Sequence, residues 1–462
     1  MAPTLSSTAM EDTVDTSVSQ EKGEMCSSVG QVKGSEAEDT LHPSELEGQT
    51  CTTGNDGDKV PTPAMRRRAF LQYLALCCSM FVAGWNDGTL GPLLPRIQEV
   101  YHVGYAIVSL IFVVSCTGAV LGSCTFLYLF DRLGYGLVVV LASCMMMVAY
   151  CLEAAAVPFP VFVTAYFFIG YGGSFLNSGS NVFLASVSVG KASNRFGILH
   201  GVYGLGAMAS PLISTQFAQM SRWSFVYLVH LGLLVVTLVM QVLAFKFKGQ
   251  ADCARDIGLP PPETESSLLQ RYKRVFCMRV VHLMAFFAFV YVGIEVSIGS
   301  WIVTYVINLR HGGPDSGYIP SGLFGGLMLG RVALLPVSKL IGERRVIFVY
   351  ILAVLGLELA VWHVQSVVAD AICVAFIGIF LGPMFPIMTN HAGGILPPDL
   401  ISGGVGWIAS WGAAGAAVFP FVTGAIASKT GIKSLFPLVV ALTGLLFCVW
   451  ACVPRSRRQI KG

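Results

Sequence analysis

Apolar runs long enough to cross a bilayer recur twelve times along this chain, and that recurrence leaves few folds open to it. A hydrocarbon core is spanned by roughly 20 apolar residues in helical form. Inside it every backbone amide must find its partner within the protein, so such runs become helices. They centre near Met80, Val114, Met145, Ile169, Leu205, Val235, Phe289, Leu327, Leu352, Ala375, Ala413 and Leu445. Apolar residues make up 54% of the 462 and charged residues only 12%, about half the charged share of a soluble domain. The expected fold is an all-α polytopic membrane protein, with twelve transmembrane helices forming two six-helix bundles.

Polarity divides the chain further. Residues 1–60 are rich in Ser, Thr, Glu and Gly and carry acids from Glu11 to Asp58, so 1–68 is expected to be a disordered acidic tail. This stretch lacks the charged start and apolar core of a secretory signal. The long polar insertion among the runs, Lys246 to Arg274, contains Pro260-Pro261-Pro262 and falls between the sixth and seventh. It sets an N-terminal bundle at 69–246, a central loop at 247–275, a C-terminal bundle at 276–453 and a basic tail at 454–462. The bundles are equal in length, and one constant offset lays Gly84 on Gly293, Gly173 on Gly382 and Asn181 on Asn390. The same offset lays Gly197 on Gly406, Gly206 on Gly415 and Pro211 on Pro420. Parallel repeats with a solute site between them are one architecture of secondary transporters.

Basic residues concentrate on one set of turns, among them Arg66, Arg67, Arg68, Arg132, Arg195, Arg344 and Arg345. The opposite set holds Arg96, Arg222, Arg310, Lys429 and Lys433. Because basic loops stay on the cytoplasmic side, both termini are expected in the cytosol. The thirteen cysteines show neither metal-ligand spacing nor a disulfide framework. No metal, cofactor or nucleic acid is expected, and no nucleophile–base pair that would mark an enzyme appears in the spans.

Carboxylates inside apolar runs are costly and mark solute or proton pathways by default. Glu295 stands within Phe276 to Val306, and Asp87 within Gly84-Trp85-Asn86-Asp87-Gly88. These two are the candidates for proton coupling. Asn177 and Asn181 are four apart and share a helix face, where they can meet a polar solute or bond between helices. Asn86, Asn177, Asn181, His200, Tyr291, Trp301, Asn390, Trp407 and Trp411 are the candidate lining of a substrate cavity, the tryptophans as stacking platforms for a ring-shaped solute. Asp131, Arg132, Arg331, Arg344 and Arg345 sit at or near the basic turns, where ion pairs can latch one conformation. They are read as gating residues. Gly197, Gly206, Pro211, Gly406, Gly415 and Pro420 fall in two Gly-rich runs and are read as hinges and packing surfaces. Glu153, Glu358 and His363 also lie within spans and receive no role.

The pattern resembles the major facilitator superfamily over residues 69–453. Asp131-Arg132-Leu133-Gly134 looks like that family's inner-loop signature, without its leading Gly and trailing basic residues. Asn86-Asp87-Gly88 with Pro92, Tyr291-Val292-Gly293-Ile294-Glu295 with Trp301, and Gly382-Pro383-Met384-Phe385-Pro386 resemble the fucose-permease-like branch and its fungal relatives. That resemblance implies a proton-coupled carrier with its span-one acid at Asp87. It also implies a second acid in span four, where this chain has Asn177. The expected function is secondary active transport of a small organic solute by alternating access, either sugar-like uptake or metabolite export. A nutrient sensor built on a carrier fold is the alternative. The expected partners are the solute, protons and the bilayer, for a monomer in the plasma membrane.

Overall fold

The computed structural model describes residues 62–187, 192–259, 274–397 and 400–454. The acidic tail through residue 61, the Pro260–Pro262 run and the basic tail from 455 lie outside the described residues. No strand occurs among the described residues.

The first half holds α1 (Pro63–Tyr101), α2 (Tyr105–Val108), α3 (Leu110–Leu133), α4 (Tyr135–Ala154), α5 (Phe159–Val187), α6 (Ala192–Ala218), α7 (Val226–Phe245) and α8 (Gln250–Asp256). The second holds α9 (Arg279–Arg310), α10 (Ile319–Ala333), α11 (Leu335–Ile341), α12 (Glu343–His363), α13 (Val367–Leu381), α14 (Met384–Ile395), α15 (Ile401–Thr430) and α16 (Leu435–Cys452). Eleven of the described helices are long and apolar enough to cross a membrane. Counted as one broken span, the pair α10 and α11, bent by 54°, makes a twelfth. Twelve crossings place Thr62 and Pro454, the outermost described residues, on one side, called here the near end.

Two boundaries differ from expectation. α1 starts at Pro63 rather than near 69, because Thr62 caps it through a hydrogen bond from the Met65 amide (3.3 Å) and Pro63 occupies its first position. The stretch expected as a loop over 247–275 contains α8. That helix is docked on α1, with Gln72 Nε2 donating to the Cys253 carbonyl (3.2 Å) and Arg68 paired with Asp256 (3.0 Å).

The halves repeat one another in their packing. α1 packs most extensively on α6, and α9 on α15. A Cβ at Gly206 would collide with the Phe81 carbonyl of α1, and one at Gly415 with the Phe289 carbonyl of α9. Without a hydrophobic drive between helices in lipid, such close backbone approach is what small residues provide. α3 against α5 and α10 against α13 form the second equivalent pair.

Contacts between the halves run from mid-span to the far end. Gly91 lies on the backbone of Gly299, and Met328 packs on Gly204. Tyr105 stands edge-on to Trp301 at 5.9 Å and accepts a hydrogen bond from Asn308 Nδ2 at 2.8 Å. Gln216 bonds to Tyr318 further out. These contacts seal the far end.

Candidate functional site

Asp87 lies in the middle of α1, yet its side chain is exposed. Exposure of a mid-span acid among polar partners marks a water-accessible cleft rather than a lipid face. The Tyr203 hydroxyl on α6 donates to Oδ2 at 2.5 Å, and the Asn86 amide donates to Oδ1 at 3.3 Å. Asn86 in turn accepts from the Tyr150 hydroxyl on α4 at 2.9 Å. Tyr203 reaches Asp87 because Gly84 and Gly88 leave no side chain between α1 and the backbone of α6.

The second half completes the cleft. Glu295 on α9 is half-buried and interacts electrostatically with Arg331 on α10 and with Asp87 across the halves. Tyr291, one turn before Glu295, donates to the Leu381 carbonyl at 3.2 Å. The Arg331 guanidinium acts on Glu295, Tyr291, Tyr203 and His200 together. The cleft therefore holds two acids, one arginine, a half-buried histidine and hydroxyl and amide groups from both halves. Each acid can exchange a proton, and the guanidinium offers a directional fork of donors.

The structure redistributes several residues expected here. Arg331, expected as a gating residue, stands in the last turn of α10, where its guanidinium acts on Glu295. Trp301 is fully buried, donates to the Pro420 carbonyl at 3.0 Å and packs on Tyr105 and Phe112, so it seals the interface and presents no stacking face. Asn390 is exposed midway along α14 and donates to Glu343 at 2.5 Å. Trp407 and Trp411 lie 6.0 Å apart on α15 against Phe276, His282 and Phe289, an aromatic seam between α15 and α9. Asn181 donates to the Asn177 carbonyl and side chain, both at 3.0 Å, so the pair satisfies itself on α5.

Arg344 bonds to the carbonyls of Val453 and Ala451 within its own half, which tethers α16. Arg132 stacks over Tyr128 at 5.6 Å, and Asp131 and Arg345 are exposed. Among the hinge candidates, Gly197 and Gly406 have open space beside them, whereas Gly206 and Gly415 are locked in helix contacts. Pro211 lies inside α6, and its carbonyl accepts from Thr215 at 2.6 Å. Tyr203 and Tyr150 were missed by sequence reasoning, because one tyrosine among fifteen carries no positional signal.

The model of the Major Facilitator Superfamily matches residues 76–368. The chain belongs to that superfamily. As a superfamily member it is a multi-pass membrane transporter that moves a small-molecule solute. Bypass of stop codon protein 6 of Saccharomyces cerevisiae is 28% identical over 88% of this chain and 87% of its own length. The glucose/mannose transporter GlcP of Bacillus subtilis is 21% identical over 69% of this chain and 79% of its own. The efflux pump aflT of Aspergillus parasiticus is 24% identical over 40% of this chain and 36% of its own. Among solved structures, the nucleoside transporter NupG superposes with a TM-score of 0.68, at 10% identity over 83% of this chain and 99% of its own. A D-xylose-proton symporter superposes at 0.69, also at 10% identity, over 84% and 99%. These structures share the fold with this major facilitator protein. The carriers and efflux pump named here lend the sensor alternative no support.

Proposed function

We propose that this protein is a proton-coupled carrier of a small, neutral, polyhydroxylated solute, working by alternating access. Asp87 carries the reading: it is an exposed carboxylate in mid-span, held by Tyr203 and acting across the halves on Glu295, which Arg331 also meets. When Asp87 binds a proton, its hold on Tyr203 weakens, and the α1–α6 face is freed to change its contacts. Glu295 is the partner acid in the second half, where the span-four position holds Asn177 instead. Arg331 has a buried Nε without a protein acceptor among the described residues, a donor suited to a solute hydroxyl. Asn86, His200, Tyr203 and Tyr291 supply the remaining hydrogen-bonding groups.

The sealed far end and the wet Asp87 describe a near-end-open state, which switches by rocking of the two repeats. The basic near-end turns favour placing that end, and both termini, in the cytosol. The proposed setting is a monomer in the plasma membrane. The names of GlcP and of the D-xylose-proton symporter agree with a sugar-like solute for this chain. Solute counterflow in proteoliposomes, run with labelled hexoses, pentoses and polyols, tests the class. Saturable exchange of one of these, reduced at least tenfold by Arg331→Ala, is expected. Exchange of none of them, with a hydrophobic drug exchanging instead, overturns the substrate class.

A further inference from the structure

Glu153 is the most deeply isolated charge-bearing group in the described chain. It sits at the far end of α4, is 0% exposed, and neither carboxyl oxygen has a hydrogen-bond partner among the described residues. Among the described residues, no charged side chain acts on it from a helix packed against α4. A bare carboxylate in such a place is prohibitively costly to bury, so the resident form is the neutral acid. Four tyrosines from four helices ring it: Tyr101 of α1, Tyr150 of α4 itself, Tyr166 of α5 and Tyr227 of α7.

The ring leads to the cleft. The Tyr166 and Tyr227 hydroxyls bond to each other at 3.0 Å, and Tyr101 donates to the Val157 carbonyl at 2.7 Å. His230 of α7 lies against Tyr150 and Tyr227 and bonds to Thr89 of α1 at 3.0 Å. Tyr150 is one turn before Glu153 on the same helix face. Its single hydroxyl proton goes to Asn86, and Asn86 holds Asp87. Tyr150 therefore has one proton to give, spent on Asn86, while the unpartnered Glu153 lies one turn along the same helix and acts on it electrostatically.

We infer that Glu153 is a second proton-binding site, read by Asp87 through the Tyr150–Asn86 hydrogen bond. This inference rests on the proton-coupled reading of the carrier. When the far end opens, the Glu153 O–H bond breaks and its proton passes to the water admitted there. The new carboxylate attracts the Tyr150 hydroxyl, because a charged acceptor makes the stronger bond. Tyr150 keeps its own O–H bond and only changes acceptor. Asn86 loses its anchor, the amide no longer holds Asp87, and the acid of the cleft is left readier to take up a proton. Return of a proton to Glu153 reverses the switch.

The test is a pH titration of the full-length protein in lipid, followed by the infrared carbonyl band of protonated carboxyl groups. The wild type, Glu153→Gln, Tyr150→Phe and Asp87→Asn are compared, with solute-driven proton uptake measured in parallel. The proposal expects Glu153→Gln to remove one titrating band that Asp87→Asn leaves in place. It expects Tyr150→Phe to keep that band while shifting the one assigned to Asp87 by less than half as much on titration. Two results overturn it: a Glu153 band that stays constant at every pH where the protein remains folded, or a Tyr150→Phe protein whose Asp87 band behaves as in the wild type. Tyr150→Phe retains the acid and its packing, so the link stays testable even where Glu153→Gln folds poorly. The coupling reading fails separately, by absence of solute-driven proton uptake in the wild type, and the infrared bands still report on Glu153 in that case.

Discussion

At the residue scale, this apolar protein houses its lone charges in two ways. Asp87 is exposed and held by Tyr203, whereas Asp370 is buried and paired with Arg310 at 3.2 Å. The two should respond differently to substitution. Asp87→Asn and Glu295→Gln should fold like the wild type and keep solute exchange, while losing accumulation driven by a proton gradient; retained accumulation in both would end their role. Asp370→Ala leaves a guanidinium with 8% exposure unpaired, a loss of about 3–5 kcal/mol. Thermal unfolding in detergent should show a clear fall in Tm, and an unchanged Tm would mean the pair is not buried as drawn. The acids were legible in the sequence because a carboxylate in a long apolar run has no cheap explanation. Arg331 was visible for the same reason, but its meeting with Glu295 depends on how α9 and α10 pack. Trp301 and Asn390 were misplaced because sequence does not say which way a side chain on a helix points.

At the element scale, small residues decide which helices touch. Gly206 and Gly415 occupy equivalent places in the two repeats, and each lies on a neighbouring backbone. Gly206→Val or Gly415→Val should force α6 from α1, or α15 from α9, and sharply lower the yield of folded protein. Gly197→Ala and Gly406→Ala meet open space and should fold normally. Monodisperse elution on size-exclusion chromatography separates the two classes, and equal behaviour of all four would contradict the packing. This repeat was readable from the constant offset between the halves. The docking of α8 was not, because its contacts join residues far apart in sequence, Gln72 with Cys253 and Arg68 with Asp256. Burial pushes the Cys253 thiol up to about 11, with the Asp256 carboxylate adding to the rise. A raised thiol is protonated and unreactive at neutral pH. Cys253 should therefore escape maleimide at pH 7 while exposed Cys277 is labelled. Asp256→Ala should loosen α8 and expose Cys253 to labelling. Rapid labelling of Cys253 in the wild type would show that α8 is not docked.

At the scale of the whole molecule, the twelve crossings, the two repeats and the cleft between them were all implied by the order of apolar runs. The state of the carrier was not, since it depends on contacts such as Tyr105 with Trp301 and Asn308 at the far end. Those contacts make the far end the closed one, and the proposed mechanism has Asp87 reached from the near end. The central claim is that a proton bound in this cleft drives the solute. Accumulation of labelled solute in proteoliposomes under an imposed pH gradient, compared between wild type and Asp87→Asn, tests it most directly. The account predicts accumulation in the wild type that collapses when the gradient is dissipated, and none in Asp87→Asn. Equal accumulation by both proteins, or wild-type uptake indifferent to the gradient, would contradict it.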